Sequence, residues 1–141
     1  MTKFWKFIKN QATETQPESV ELRIDGDIVA DSDVWIYEWF DEPSASPNAF
    51  REELSKYANQ DLTVWINSYG GDVFAATGIY DALKNHKGKV TTKIEVAMSA
   101  ASVIAMAGDE ILMSPVGVVM MHNPLSAARG YASDLRKQAD V

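Results

Sequence analysis

The chain has no cysteine, only two histidines and no apolar run long enough to span a bilayer. Without cysteine there is neither a disulfide framework nor a thiolate metal site, so a stapled extracellular fold finds no support. Basic residues are also in deficit: 13 Lys and Arg face 20 Asp and Glu, a formal charge of −7, and the cations are scattered rather than gathered into a stripe. Such a chain repels a phosphate backbone, which argues against nucleic acid as a partner. Near the start, Phe4, Trp5, Phe7 and Ile8 stand among Lys3, Lys6 and Lys9. That apolar stretch is far too short for a signal peptide or a membrane span, so no membrane is expected and the default compartment is the cytoplasm.

What is present fits one packed core. Hydrophobic residues make up 46% of the 141 and charged residues 23%, the balance of an ordinary globular domain. Residues 1–19 read as a separate segment that packs locally, frays or crosses a subunit boundary, with a short amphipathic helix as the alternative. Residues 20–141 read as the folded domain.

Along that domain, Val20 to Ile24 alternates apolar and polar residues and is expected to form a strand closed by a turn at Asp25-Gly26-Asp27. Asp33 to Phe40 is rich in Trp and Tyr and is ambiguous between helix and strand; Asp41 to Pro47 reads as loop. Ser46-Pro47 marks a helix start, with Phe50, Leu54 and Tyr57 on one face. Leu62 to Ile66 is nearly all apolar or β-branched, as in a parallel-sheet strand covered on both faces. A tight turn is expected at Ser68 to Asp72, then a helix carrying Val73, Ala76, Tyr80 and Leu83 on one face. Val90 to Val96 is a further strand, Ser99 to Ala107 a small-residue helix, and Glu110–Met113 and Val118–Met121 two more strands. Strand and helix alternate, which predicts an α/β fold with a mostly parallel sheet.

Amide acyl transfer needs a nucleophile, a base and two N–H donors aimed at a developing oxyanion. Ser99 stands where a strand gives way to a helix whose residues are apolar on every side, a rigid position beside unpaired helix donors. On position alone, capping the helix is the commoner role for such a serine. Ser102 is a rival, although a hydroxyl inside a helix more often bonds back to a preceding carbonyl. His122 ends an apolar strand just before Asn123-Pro124, a place where a base or a satisfied core histidine are both reasonable. His86 lies in a polar helix exit and reads as solvated surface. Gly70-Gly71 lets backbone approach a ligand closely, or is simply a tight connection; the lysine and glycine spacing of a phosphate loop is absent.

Three blocks in order, Ile66 to Ala75, Ala97 to Gly108 and Met120 to Pro124, resemble the Clp protease proteolytic-subunit family and, more narrowly, its phage or prophage head maturation proteases. The resemblance runs from about Val20 to the C-terminus. It implies a twisted, crotonase-like α/β unit assembled into homo-oligomeric rings, working without cofactor or metal on polypeptide held as an extended strand. Carried over residue by residue, Ser99 matches the nucleophile, His122 the base, and Gly71 with Ala100 the oxyanion donors. Gly70, Asp72, Val73, Leu125 and Ser126 match the segments that flank the substrate. The implied partners are phage capsid or scaffold proteins, or a ring ATPase that delivers unfolded chains. A thioester-binding crotonase-like enzyme and an inactive assembly module are the competing readings.

The sequence departs from the family at Tyr69, where proline usually precedes the two glycines. Glu95 to Met98 also lacks the usual glycine before the nucleophile. The family's catalytic aspartate falls beyond Val141, so the domain is expected to be C-terminally truncated, and neither Asp134 nor Asp140 takes that role.

Overall fold

The computed structural model describes residues 5–10, 19–42 and 44–140. Its elements are β1 (Trp5–Asn10), β2 (Ser19–Ile28), α1 (Val34–Phe40), β3 (Ser44–Ala45), α2 (Pro47–Ser55), β4 (Leu62–Gly71), α3 (Val73–Lys84), β5 (Val90–Met98), α4 (Ala100–Ala105), β6 (Glu110–Met120) and α5 (Ala132–Ala139). The sheet order is β1-β2-β4-β5-β6. From β2 onward neighbouring strands are parallel, and the two-residue β3 joins β2 in the same sense. Among the described residues only β1 runs antiparallel, against β2. The α/β architecture with a mostly parallel sheet is as expected. The amphipathic-helix alternative for the opening segment gives way to a strand over residues 5–10, while residues 1–4 and 11–18 lie outside the described residues.

Period-two alternation in three central strands builds the core. Val20, Leu22 and Ile24 of β2, Leu62, Val64 and Ile66 of β4, and Val90 and Ile94 of β5 are buried on one face. Onto that face pack Phe50 and Leu54 of α2, Ala75, Ala76, Ile79 and Leu83 of α3, and Ala100, Ala101, Ile104 and Ala105 of α4. Thr92 is the polar member of the β5 stripe, and its hydroxyl donates to the carbonyl of Ala105 at 2.9 Å, so no donor is stranded.

The opposite face is not a second core, contrary to the reading of Leu62–Ile66 as covered on both sides. There Trp65 of β4 is half-buried and flanked by cations from both neighbouring strands. Arg23 Cζ lies 5.7 Å and Lys93 Nζ 4.7 Å from its ring centroid, while Arg23 also pairs with Glu95 at 2.7 Å. Long side chains laid over an aromatic ring shield it without a helix.

Several boundaries move, each for a physical reason. Asp25-Gly26-Asp27 does not end its strand: the register slips there by a bulge, and β2 continues to Ile28 beside Gly70 and Gly71. In consequence Ser68 to Gly71 belongs to β4 rather than to a turn. Glu110–Met113 and Val118–Met121 are one strand, β6, whose extra residues bulge opposite Ile94 and Val96. The buried face of α3 is Ala75, Ala76, Ile79 and Leu83, leaving Val73 exposed. The aromatic-rich stretch is the short helix α1, which buries no side chain. Among the described residues no helix is long and apolar enough to cross a membrane.

Candidate active site

Between the last residue of β5 and the first of α4 stands Ser99, with φ 52° and ψ −125°. A non-glycine residue at positive φ costs about 1–3 kcal/mol and persists only where its surroundings over-determine it. Here three bonds do so. The Ser99 N–H donates to the Met120 carbonyl at 2.8 Å, and the Ser99 carbonyl accepts from the Ser102 N–H at 3.0 Å and the Ser102 hydroxyl at 2.6 Å. Although Ser99 holds the N-cap position, its side chain makes no capping bond. Its Oγ lies instead 2.8 Å from His122 Nε2. The rival Ser102 is buried and committed to the Ser99 carbonyl. Val103 and Met106 of the same helical segment are exposed, so it is not apolar-buried on every side.

His122 follows β6 and is exposed. Its Nδ1 is 2.7 Å from the Asn123 carbonyl. A carbonyl oxygen can only accept, so the tautomer these contacts require carries its proton on Nδ1 and turns the Nε2 lone pair toward the serine hydroxyl. His86 is not solvated surface as expected: it is half-buried, and its Nε2 is 2.7 Å from the Gln60 carbonyl, tying the end of α3 to the turn before β4.

The diglycine sits beside the serine because nothing larger fits. A Cβ on Gly70 (φ 106°) would stand 2.7 Å from the Met98 carbonyl oxygen and 2.8 Å from Ser99 Cβ; one on Gly71 (φ 144°) would collide with the Ile28 carbonyl. Buried Ser68 holds this segment, donating to the Gly26 carbonyl at 2.6 Å and accepting from the Gly70 N–H at 3.1 Å. Sequence reasoning passed over Ser68. Its signal was there, since it continues the inward positions 62, 64 and 66 with a polar residue.

One cavity of about 510 Å³ is lined by Gly71, Val73, Ser99, Ala100, His122 and Leu125 together. Ser102, Val103, Met121 and Pro124 complete its wall, and of these only Ser102 was singled out from sequence. Gly70 and Asp72 line a second cavity, of about 470 Å³, which shares Gly71 with the first. The Asp72 side chain caps α3, accepting from the Ala75 N–H at 2.6 Å. Ser126 does not line the serine cavity; its hydroxyl accepts from Gln138 Nε2 at 2.9 Å. Asp134 accepts from the Tyr131 N–H at 3.0 Å as part of the α5 cap. Among the described residues no group of three or more His, Asp or Glu is arranged to hold a metal ion.

A protein from Bacteroides thetaiotaomicron named ATP-dependent Clp protease proteolytic subunit is 40% identical over 79 residues, 54% of this chain and 36% of its own. One from Prochlorococcus marinus, the proteolytic subunit 1, is 36% identical over 85 residues, 58% of this chain and 44% of its own. A subunit 1 from Salinibacter ruber is 33% identical over 88 residues, 60% of this chain and 38% of its own. The matched stretch thus spans less than half the length of each relative. Residues 52–141, from the middle of α2 through the serine and histidine to the C-terminus, match the family described as Clp protease, and the chain belongs to that family.

Proposed function

We propose that this chain carries the catalytic site of a serine-type endopeptidase, with Ser99 as nucleophile and His122 as general base. The observation that carries the reading is the 2.8 Å contact between Ser99 Oγ and His122 Nε2, with Nδ1 held by the Asn123 carbonyl. In the proposed cycle Oγ attacks the scissile carbonyl carbon as its proton passes to Nε2. The imidazolium then gives that proton to the departing amine, and a water activated by the same ring hydrolyses the acyl-enzyme. The N–H groups of Gly71 and Ala100 are the proposed oxyanion donors. Two features support them: both residues line the serine cavity, and the first N–H of a helix has no intrahelical partner. Gly70, Asp72, Val73, Leu125 and Ser126 are proposed to flank an extended peptide.

Two substrate readings have support. The relatives named as ATP-dependent proteolytic subunits favour a ring of copies fed unfolded chains by a ring ATPase. The block from Ser99 to Gly108 and its neighbours favour the phage head-maturation reading, in which capsid or scaffold proteins are cleaved. In either case self-association is supported by Trp35, Trp39 and Phe40, which are 64%, 80% and 70% exposed on the single chain.

A fluorophosphonate probe tests the nucleophile. It should attach to Ser99, located by peptide mapping, and fail on Ser99→Ala; attachment that survives the substitution removes Ser99 from the role. Affinity capture separates the substrate readings, since an ATPase co-purifying in an ATP-dependent manner supports the first, and processing of a purified scaffold protein without ATPase supports the second.

A further inference from the structure

Strand β6 delivers the chain to the site in two steps that differ in firmness. As far as Met120 the backbone is held: Met120 pairs with Met98 of β5, and its carbonyl accepts from the Ser99 N–H at 2.8 Å. Beyond it the chain leaves the sheet, and His122, Asn123 and Pro124 are all exposed. A fixed backbone does not by itself aim an imidazole, because the torsion that turns the ring has a broad, roughly two-fold profile. Half a turn would present a ring carbon to the serine. The ring makes two bonds, from Nε2 to Ser99 Oγ at 2.8 Å and from Nδ1 to the Asn123 carbonyl at 2.7 Å. The first is the one the proposed reaction uses up, which leaves the second to set the orientation. Among the described residues no carboxylate bonds to this ring.

That acceptor is a backbone atom, and its direction is set by ψ of Asn123. Asn123 precedes Pro124. A proline ring clashes with the N–H and Cβ of the residue before it and drives that residue out of the helical region into extended backbone. Proline also lacks the N–H with which residue 124 could close a competing turn. In an exposed segment water competes for every carbonyl, so a conformation narrowed in advance by the covalent chain favours this one bond. Resting on the peptidase reading above, we infer that Pro124 is a positioning residue: by holding Asn123 extended it keeps that carbonyl on His122 Nδ1, and so keeps the Nε2 lone pair on Ser99 Oγ. The consequence is a tautomer as well as an angle, since a proton held on Nδ1 leaves Nε2 free to take the serine proton. The chain's other histidine is built the opposite way. His86 Nε2 lies 2.7 Å from the Gln60 carbonyl, so its proton belongs on Nε2. His86 is thus a control within the same molecule.

Nitrogen NMR of the isotopically labelled full chain, at about pH 8.5 where imidazole is neutral, reads both rings without turnover. His122 should carry its proton on Nδ1 and His86 on Nε2. Pro124→Gly should mix the two tautomers at His122 and leave His86 unchanged. In a fluorogenic peptide assay it should lower kcat about tenfold with KM within about twofold, because fewer molecules hold the base in reach of the serine. Pro124→Ala should act in the same direction by about threefold, and it replaces the glycine variant if a changed His86 spectrum shows that the fold is disturbed. A proton on Nε2 of His122 in the unsubstituted chain would overturn the inference. So would a Pro124→Gly chain that keeps either its tautomer or its kcat, or one in which KM alone changes, which would make Pro124 only a wall of the serine cavity that it lines. Fluorophosphonate labelling of the unsubstituted chain reports separately on the peptidase reading, and the nitrogen spectrum decides the carbonyl's hold on the ring even where no label attaches, so either can fail alone.

Discussion

The two halves of the site are built differently. Ser99, Ala100 and Gly70 stand in a frame of buried backbone: a strand end on each side, α4 behind, and the Ser102 hydroxyl locking the serine carbonyl. His122 belongs to the other half, and every residue from Met121 to Gly130 is exposed. The ring of His122 is held by the Asn123 carbonyl and by Ser99 itself. Rigidity on one side and few contacts on the other imply that substitutions in the first half disturb folding and chemistry together. Substitutions in the second half disturb chemistry alone.

The comparison is sharpest at Ser99 and His122, the proposed nucleophile and base. Ser99→Ala and His122→Ala should each lower peptidase turnover by on the order of 10⁴-fold or more, since members of such a unit fail together. A fluorogenic peptide assay reads the effect. His122→Ala should leave the denaturant midpoint nearly unchanged, because an exposed ring adds little to stability. A midpoint lowered as far as a core deletion lowers it would show that the histidine half is structural after all.

Next in size is the glycine beside the serine. Gly70→Ala places a Cβ against the Met98 carbonyl and Ser99 Cβ at a φ that L-residues avoid. The loss should exceed about 3 kcal/mol by chemical denaturation, comparable with emptying the core by Phe50→Ala. If Gly70→Ala folds with less than about 1 kcal/mol lost, the frame around Ser99 is softer than its contacts suggest. Ser102→Ala follows. It removes one of two donors to the strained serine's carbonyl and should cost about 1 kcal/mol, with activity falling less than that of Ser99→Ala by orders of magnitude. Loss of activity equal to that of Ser99→Ala would make Ser102 a reacting group.

How much of this was legible in the chain follows the same division. Inward stripes such as Val20-Leu22-Ile24 and Leu62-Val64-Ile66 predicted the strands, whereas position alone left Ser99 open to a capping role and His122 to a core one, and only the family resemblance implied their pairing. What escaped depends on neighbours far along the chain. Asp25-Gly26-Asp27 looks like a turn because its residues favour one, but pairing with Gly70 and Gly71 draws it into the sheet as a bulge. Ser114-Pro115 looks like a break, yet β6 carries it by slipping register against β5. Trp65 looks like core, and only the crossing of Arg23 and Lys93 from adjacent strands reveals a surface face. His86 looks exposed because its own neighbours are polar, while its partner, the Gln60 carbonyl, lies 26 residues away. The Asn123 carbonyl was invisible for another reason: a backbone acceptor leaves no mark in residue type.

The smallest effect probes the exposed half directly. Ser126 accepts from Gln138, an exposed bond that links the segment after His122 to α5. Exposed hydrogen bonds of this kind contribute little, so Ser126→Ala should move stability by less than about 0.5 kcal/mol. Its interest lies in how KM and kcat divide. If the segment acts only by lying beside a bound peptide, KM should rise about two- to threefold with kcat unchanged, since the same contact is lost in ground and transition states. If the tie to α5 positions the imidazole, kcat should fall while KM holds, because Nε2 would sit less often within reach of Ser99 Oγ. A fall in kcat restored by Ser126→Thr, which keeps the hydroxyl, would then move Ser126 from the substrate's flank into the positioning of the base and make the exposed half less loose than its solvent exposure implies.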